Sequence, residues 1–189
     1  MASYFQIPQP DIELIEKAKK VREAYLRNCQ RNNSQRINAL NSIADSLFKN
    51  ADKILEANLN DFKTAQNKGI SSSLLSRLKL TKEKLLESIN GIRKVGQLND
   101  PIGQLQINKE LSEGLILQRR SVPIGVIGVI FESRPDAVMQ ISALAIRSGN
   151  SVILKGGSEA NNTNIALVDA IKEGLNKSEI DMDSICLLI

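Results

Sequence analysis

The stretch Ile124-Gly-Val-Ile-Gly-Val-Ile-Phe131 is a continuous apolar run of strand length, and its surroundings decide the fold. Lack of alternation predicts a buried strand of a parallel sheet, since a strand wet on one face would alternate. Downstream, Pro135 is placed to open a helix carrying Val138, Ile141, Leu144, Ala145 and Ile146, which closes at Gly149-Asn150. Ser151-Val-Ile-Leu-Lys155 reads as a second strand and Gly156-Gly157 as a turn. Ile165, Leu167, Val168, Ile171 and Leu175 then mark a second helix, and Ser184-Ile-Cys-Leu-Leu-Ile189 a third strand. Strand, helix, strand, helix, strand, joined by right-handed crossovers, folds into one parallel Rossmann-like sheet.

Upstream the pattern is helical. From Asp11 one face carries Leu14, Ile15, Ala18, Val21 and Tyr25. Ser34 is placed to cap a second helix with the stripe Ile37, Leu40, Ala44, Leu47 and Phe48, and a third carries Ile54, Leu55, Leu59 and Phe62 to an end near Gly69. Thr81 caps a fourth, with Leu85, Ile89 and Ile92 inward and Gly96 at its end. Asn99-Asp100-Pro101 and Gly103 break the pattern. Leu105-Gln-Ile107 and Leu115 to Val122, separated by Ser112-Glu-Gly114, then read as the strands of a hairpin. The expected fold class is α/β: a helical part over residues 1–102, a β-hairpin over 103–122, and a partial βαβαβ sheet over 123–189.

Composition narrows the chemistry. With 189 residues and 42% hydrophobic content the chain is long enough for a globular core. Its 25 basic and 21 acidic residues are dispersed, giving a net charge of +4 with no basic block to favour nucleic acid. The absence of histidine excludes a Ser-His-Asp triad, a Cys-His pair and any His-ligated metal within this chain. Cys29 and Cys186 form no CxxC, so free thiols in a reducing compartment are expected rather than a zinc site or a disulfide. The start, Met1-Ala-Ser-Tyr-Phe-Gln-Ile-Pro8, lacks the form of a signal peptide, and the run Pro123 to Phe131 is far short of a membrane span. A cytoplasmic protein is expected.

The turn Lys155-Gly156-Gly157-Ser158-Glu159 follows a strand at the edge where doubly wound sheets bind ligands. Lys155 offers a cation to a ribose hydroxyl or a phosphate, the glycines let backbone come close, and Ser158 adds a donor near a helix start. A tight turn with a solvated lysine explains the same residues. No Walker A spacing is present, and Gly125-Val-Ile-Gly128 lacks the first pair of the GxGxxG fingerprint. A dinucleotide would therefore need another arrangement, with adenosine near Lys155 and nicotinamide toward the first strand. That strand ends in Phe131-Glu132-Ser133-Arg134-Pro135. There Arg134 can clamp a carboxylate or phosphate and Glu132 can orient it or receive an ammonium group; an exposed Glu132–Arg134 pair is the plainer alternative.

Val122-Pro-Ile-Gly-Val-Ile-Gly-Val-Ile-Phe-Glu-Ser-Arg-Pro135, followed by Ala143-Leu-Ala-Ile-Arg-Ser-Gly-Asn-Ser-Val-Ile-Leu-Lys-Gly-Gly157, resembles the gamma-glutamyl phosphate reductases of the aldehyde dehydrogenase-like superfamily. The resemblance extends through Leu78-Lys-Leu-Thr81, Asp100-Pro-Ile-Gly103 and Arg119-Arg120, covering nearly all of the chain in order. It implies NADPH-dependent reduction of L-glutamyl 5-phosphate to L-glutamate 5-semialdehyde with release of phosphate, in proline biosynthesis. A cysteine thioester, reduced by hydride, is the implied intermediate. Carried across, Lys155 and Ser158 hold the adenosine ribose and its phosphate on the Gly156-Gly157 turn. Ile130 and Phe131 lie toward the nicotinamide, and Glu132, Ser133 and Arg134 border the substrate.

Three departures qualify what the resemblance implies. Ser158 stands where many aldehyde dehydrogenases have an acidic residue, which leans toward NADP because a carboxylate would repel a 2′-phosphate; the adjacent Glu159 pulls the other way. Ser133 replaces the asparagine that often stabilises the thioester oxyanion, leaving that role unassigned. The family's catalytic cysteine lies in a later domain, Cys29 and Cys186 look structural, and the chain stops in mid-strand at Leu187-Leu-Ile189, so it reads as the leading part of a longer enzyme with no catalytic residue of its own. The hairpin resembles the family's oligomerisation strands, which implies a homo-oligomer, with glutamate 5-kinase as pathway partner. A non-catalytic cofactor-binding or assembly remnant of the family is the alternative.

Overall fold

The computed structural model describes residues 11–189, so the reading of the first eight residues lies outside what is described. Asp11 caps α1 (Ile12–Asn28), its carboxylate accepting from the Glu13 N–H at 3.1 Å. The face that packs is Val21, Ala24 and Asn28, while Leu14 and Ile15 at the start of the helix remain exposed. α2 (Asn33–Lys49) begins at Asn32 rather than at Ser34. Asn32 and Gln35 form a reciprocal capping box, with Oδ1 accepting from the Gln35 N–H at 3.0 Å and Oε1 accepting from the Asn32 N–H at 2.8 Å. Its inward side is Ala39, Leu40, Ile43, Ala44 and Leu47, whereas Phe48 is 61% exposed.

α3 (Ala51–Asn67) follows after the single residue Asn50. A short helix, α4 (Ser72–Leu78), then precedes α5 (Lys82–Gln97); it has too few turns to leave a periodic stripe in the sequence. In α5 the Thr81 hydroxyl accepts from the Lys84 N–H at 3.3 Å, and Leu85, Ile89 and Ile92 are buried as the spacing predicted. The antiparallel hairpin comprises β1 (Leu105–Ser112) and β2 (Leu115–Arg120), turning at Gly114 with φ +77°. All six residues of β2 are exposed, and the hairpin takes no part in the main core.

The parallel sheet has the order β3-β4-β5, from β3 (Val126–Ile130), β4 (Ser151–Lys155) and β5 (Ile185–Leu188). α6 (Pro135–Arg147) and α7 (Asn161–Leu175) form the two crossovers. The buried strand is β4, not β3. Among the described residues β3 pairs on one side only, with β4, and its Ile130 is 87% exposed. In α6, Leu144 is likewise exposed, while Met139, Ala143 and Ile146 turn inward.

α1 crosses one face of the sheet; α6 and α7 cover the other, and α2, α3 and α5 stack on them. One apolar core runs through these layers, from Leu40 and Leu47 to Leu154, Leu167 and Ile185. The backbones of α2 and α7 come close together at Gly174. A Cβ there would stand 2.6 Å from Ile43 Cα and 2.7 Å from the Ser42 carbonyl oxygen. Two buried arginines fix the passage into the hairpin. Arg36 binds both carboxylate oxygens of Asp100 at 2.7 Å, and Arg147 donates to the Leu98 carbonyl and to Asn33.

Two outcomes follow from this packing. Gly174→Ala must separate two backbones, so chemical denaturation is expected to show a loss of about 1–3 kcal/mol or more. Glu173 on α7 accepts from Lys49 at 3.0 Å, Asn50 at 2.8 Å and Lys177 at 3.1 Å, and these donors push its carboxyl from an ordinary 4.5 down to about 2. Because the folded value is depressed, the stabilisation is present above 4.5 and is lost as pH falls toward 2. Urea midpoints of Glu173→Gln are expected to fall less steeply than those of the parent chain across that window.

Candidate functional site

β3 and β4 run in parallel register with Ile130 beside Lys155, and the Phe131 N–H extends the pairing by donating to the Lys155 carbonyl at 3.0 Å. The turns carrying Glu132, Ser133 and Arg134 and carrying Gly156, Gly157 and Ser158 therefore leave the sheet side by side. A direct bond joins them: the Ser133 hydroxyl donates to the Glu159 carboxylate at 2.6 Å. That hydroxyl, with the Glu159 backbone N–H second, holds the Glu159 carboxyl below the usual carboxylate range. Ser133 is only 8% exposed, so its hydroxyl is committed within the protein and not presented to a developing oxyanion.

The protein's own atoms demand the two glycines. A Cβ on Gly156 would lie 2.5 Å from Asn164 Nδ2 and 3.0 Å from the Phe131 ring, and one on Gly157 would overlap the Ser133 side chain. Phe131 thus packs under the turn, while Ile130 beside it is open. Lys155 is half-buried, and among the described residues no hydrogen bond or ion pair uses its ammonium group. Ser158, exposed, starts the single 3-10 turn Ser158–Ala160 that leads into α7.

The N-terminus of α7 is already filled. Its cap residue, Ala160, has no acceptor side chain, and α3 supplies one instead. Asp61, 4% exposed, accepts from the Thr163 N–H at 2.7 Å, the Thr163 hydroxyl at 2.6 Å and Asn162 Nδ2 at 2.8 Å. The helix end that this kind of sheet can offer to a phosphate therefore holds a resident carboxylate. One turn earlier, Asn58 donates to the Leu78 carbonyl at 2.9 Å and accepts from the Leu80 N–H at 2.8 Å, fixing the segment between α4 and α5. Neither residue emerged from the sequence reading. The signal was their place on one helical face with the buried Ile54 and Ala65, where two polar residues need partners.

Two cavities flank the Glu132-Ser133-Arg134 turn. One, of about 240 Å³, is bounded by Glu132, Ser133, Gly157 and Glu159 and by the apolar side chains Ile70, Leu74 and Leu78 around α4. The other, about 710 Å³, lies between α4, α5 and the start of α6 and receives Arg134. The Glu132–Arg134 pair that was the plainer alternative does not form. Glu132 binds Arg77 of α4 at 2.6 Å, and Arg134 reaches Asp136 at 3.4 Å. Arg77 was hidden because α4 was. Cys29, at the end of α1, and Cys186, on β5, line neither cavity, and burial raises the Cys186 thiol. Among the described residues no helix is long and apolar enough to cross a membrane.

Helices on both faces of a parallel sheet, with a projecting hairpin and a polar carboxyl edge, define an aldehyde dehydrogenase-like fold. A probable aldehyde dehydrogenase from Listeria monocytogenes superposes with a TM-score of 0.68 over 93% of this chain and 36% of its own, at 17% identity. Within that class the likeness is to gamma-glutamyl phosphate reductase. The crystal structure of that enzyme from Thermotoga maritima superposes with a TM-score of 0.89 at 40% identity, covering 93% of this chain and 42% of the other. The gamma-glutamyl phosphate reductase of Prochlorococcus marinus subsp. pastoris is 64% identical over 188 residues, all of this chain and 43% of the relative. The chain thus spans less than half the length of the relatives it matches. No family model matches it.

Removing the resident carboxylate tests the reading of the α7 terminus. Asp61→Ala is expected to cost about 1–3 kcal/mol by chemical denaturation, as buried donors lose their acceptor. Hydrogen exchange should quicken at the Thr163 amide before it does in the middle of α7.

Proposed function

We propose that this chain forms the cofactor-binding side of an enzyme that uses NADPH to reduce L-glutamyl 5-phosphate to L-glutamate 5-semialdehyde with release of phosphate, in proline biosynthesis. The observation that carries the reading is the 64% identity, end to end, with a gamma-glutamyl phosphate reductase. The bound cofactor supplies hydride. Its residues here are Lys155 and Ser158 toward the adenosine ribose and 2′-phosphate, Ile130 and Phe131 toward the nicotinamide, and Gly156 and Gly157 in the turn between them. Supporting this fit, the Lys155 ammonium has no partner among the described residues, Ser158 and Ile130 are exposed, and all lie at one sheet edge. With Asp61 on the α7 terminus, Lys155 becomes the positive charge available to a phosphate. Ser158 brings no repelling carboxylate, and that of Glu159 is turned to Ser133.

Glu132, Ser133 and Arg134 border the substrate in this reading, and the nucleophilic thiol comes from outside residues 1–189. Residues 103–122 serve oligomerisation, 123–189 cofactor binding, and the cytoplasm, with glutamate 5-kinase as pathway partner, is the setting. Placement of both cysteines outside the two cavities also favours a second reading, a non-catalytic cofactor-binding or assembly module.

Fluorescence titration with NADPH tests the cofactor assignment. Lys155→Ala is expected to weaken binding by about tenfold or more, the scale of a lost charge-assisted bond; equal affinity in both proteins would sink the assignment. NADPH oxidation by the 189-residue chain alone with L-glutamyl 5-phosphate would overturn the external nucleophile.

A further inference from the structure

The larger cavity, about 710 Å³, has a charge pattern of which the assignments so far use only Arg134. Arg77, Lys79, Lys84 and Arg134 line it together with Glu87 and Asp136, four basic side chains against two acidic ones. Both arginines are held at a single nitrogen, Arg134 by a long contact and Arg77 by a short one that fixes its guanidinium. On α6, Asp136 holds Arg134 at 3.4 Å and Gln140 at 3.3 Å. On α4, Arg77 is held from the side of the smaller cavity, through one Nη1 contact to Glu132 at 2.6 Å, and makes no other hydrogen bond among the described residues. A guanidinium has five N–H donors, so an arginine fixed at one nitrogen keeps an open edge for a second oxyanion.

We propose that Arg77 is a specificity-determining residue that grips an oxyanionic group of the amino-acid acyl phosphate in this cleft. The inference rests on the proposed function for the identity of the substrate. Such a substrate carries a carboxylate, a phosphoryl group and an ammonium group, an excess of negative charge that the excess of positive charge in the lining complements. Glu87 and Asp136 provide carboxylates for the ammonium group. Glu132, which lines the other cavity, occupies one nitrogen of Arg77 and leaves its remaining N–H donors. α4 is thereby the element that joins the two cavities: Leu74 and Leu78 face the smaller and Arg77 the larger.

Isothermal titration of the 189-residue chain with a non-hydrolysable phosphonate analogue of L-glutamyl 5-phosphate, with L-glutamate and with inorganic phosphate tests this. The analogue is expected to bind, and Arg77→Ala to weaken it by about tenfold to a hundredfold. Arg77→Lys should recover part of the loss, with melting temperature and NADPH affinity unchanged in both variants. A loss shared by L-glutamate assigns Arg77 to the carboxylate; a loss confined to the analogue and inorganic phosphate assigns it to the phosphoryl group. Equal binding by Arg77→Ala, no binding by the parent chain, or a parallel fall in melting temperature and NADPH affinity would each overturn the proposal. Arg77-dependent binding of the analogue alongside NADPH binding indifferent to Lys155→Ala would instead remove the cofactor reading and leave this one standing.

Discussion

Gly174 sets the distance between α2 and α7, and the other layers take their positions from it. α7 lies beside α6 in the middle layer, with the sheet on one side and α2 and α3 on the other. At Gly174 the backbone of α2 comes where a side chain would otherwise be, so Ile43 and Leu47 reach down while Leu167, Ile171 and Leu175 are fully buried. Each such side chain is stabilising by about 1.5–3 kcal/mol when withdrawn from water. A larger residue would open that seam along its length, since close-packed layers transmit a displacement rather than absorb it.

The carboxyl edge is built by the same economy of space. Phe131 occupies the room that Gly156 leaves, Ser133 the room that Gly157 leaves, and the Ser133–Glu159 bond ties the two turns together. Exposed Ile130 and Ser158 flank half-buried Lys155 on one side, and Arg134 and Arg77, the latter paired to exposed Glu132, stand on the other. The polar groups consumed in building the edge and those left to meet a ligand are thus separated residue by residue, even between neighbours such as Ser133 and Arg134.

Much of this was legible in the chain itself. The continuous run before Phe131, Pro135 and the glycine-bounded strand ending at Lys155 specify a parallel unit, because each local signal agrees with the next. Register and topology then bring Ile130 beside Lys155 without any knowledge of packing. Period alone gives no strand order, so the greater burial of β4 than of β3 among the described residues was not legible. Nor does it choose between cap-forming residues two positions apart: the reciprocal bond to Gln35 selects Asn32 over Ser34. The site residues that escaped notice, Asp61 and Arg77, act on partners far along the chain, Thr163 and Glu132, and one of them stands on a helix too short to show a stripe.

The buried carboxylate at the head of α7 bears on how the site can change. Where a helix terminus binds a phosphate, the contacts are backbone N–H groups, present whatever the side chains are. Here Asp61 claims that terminus, and in the proposed reading recognition of an anion passes to side chains at the ends of two strands. Charge and reach at Lys155 and Ser158 are then open to single substitutions that leave the fold intact. The architecture separates the inheritance of a scaffold from the choice of what it holds.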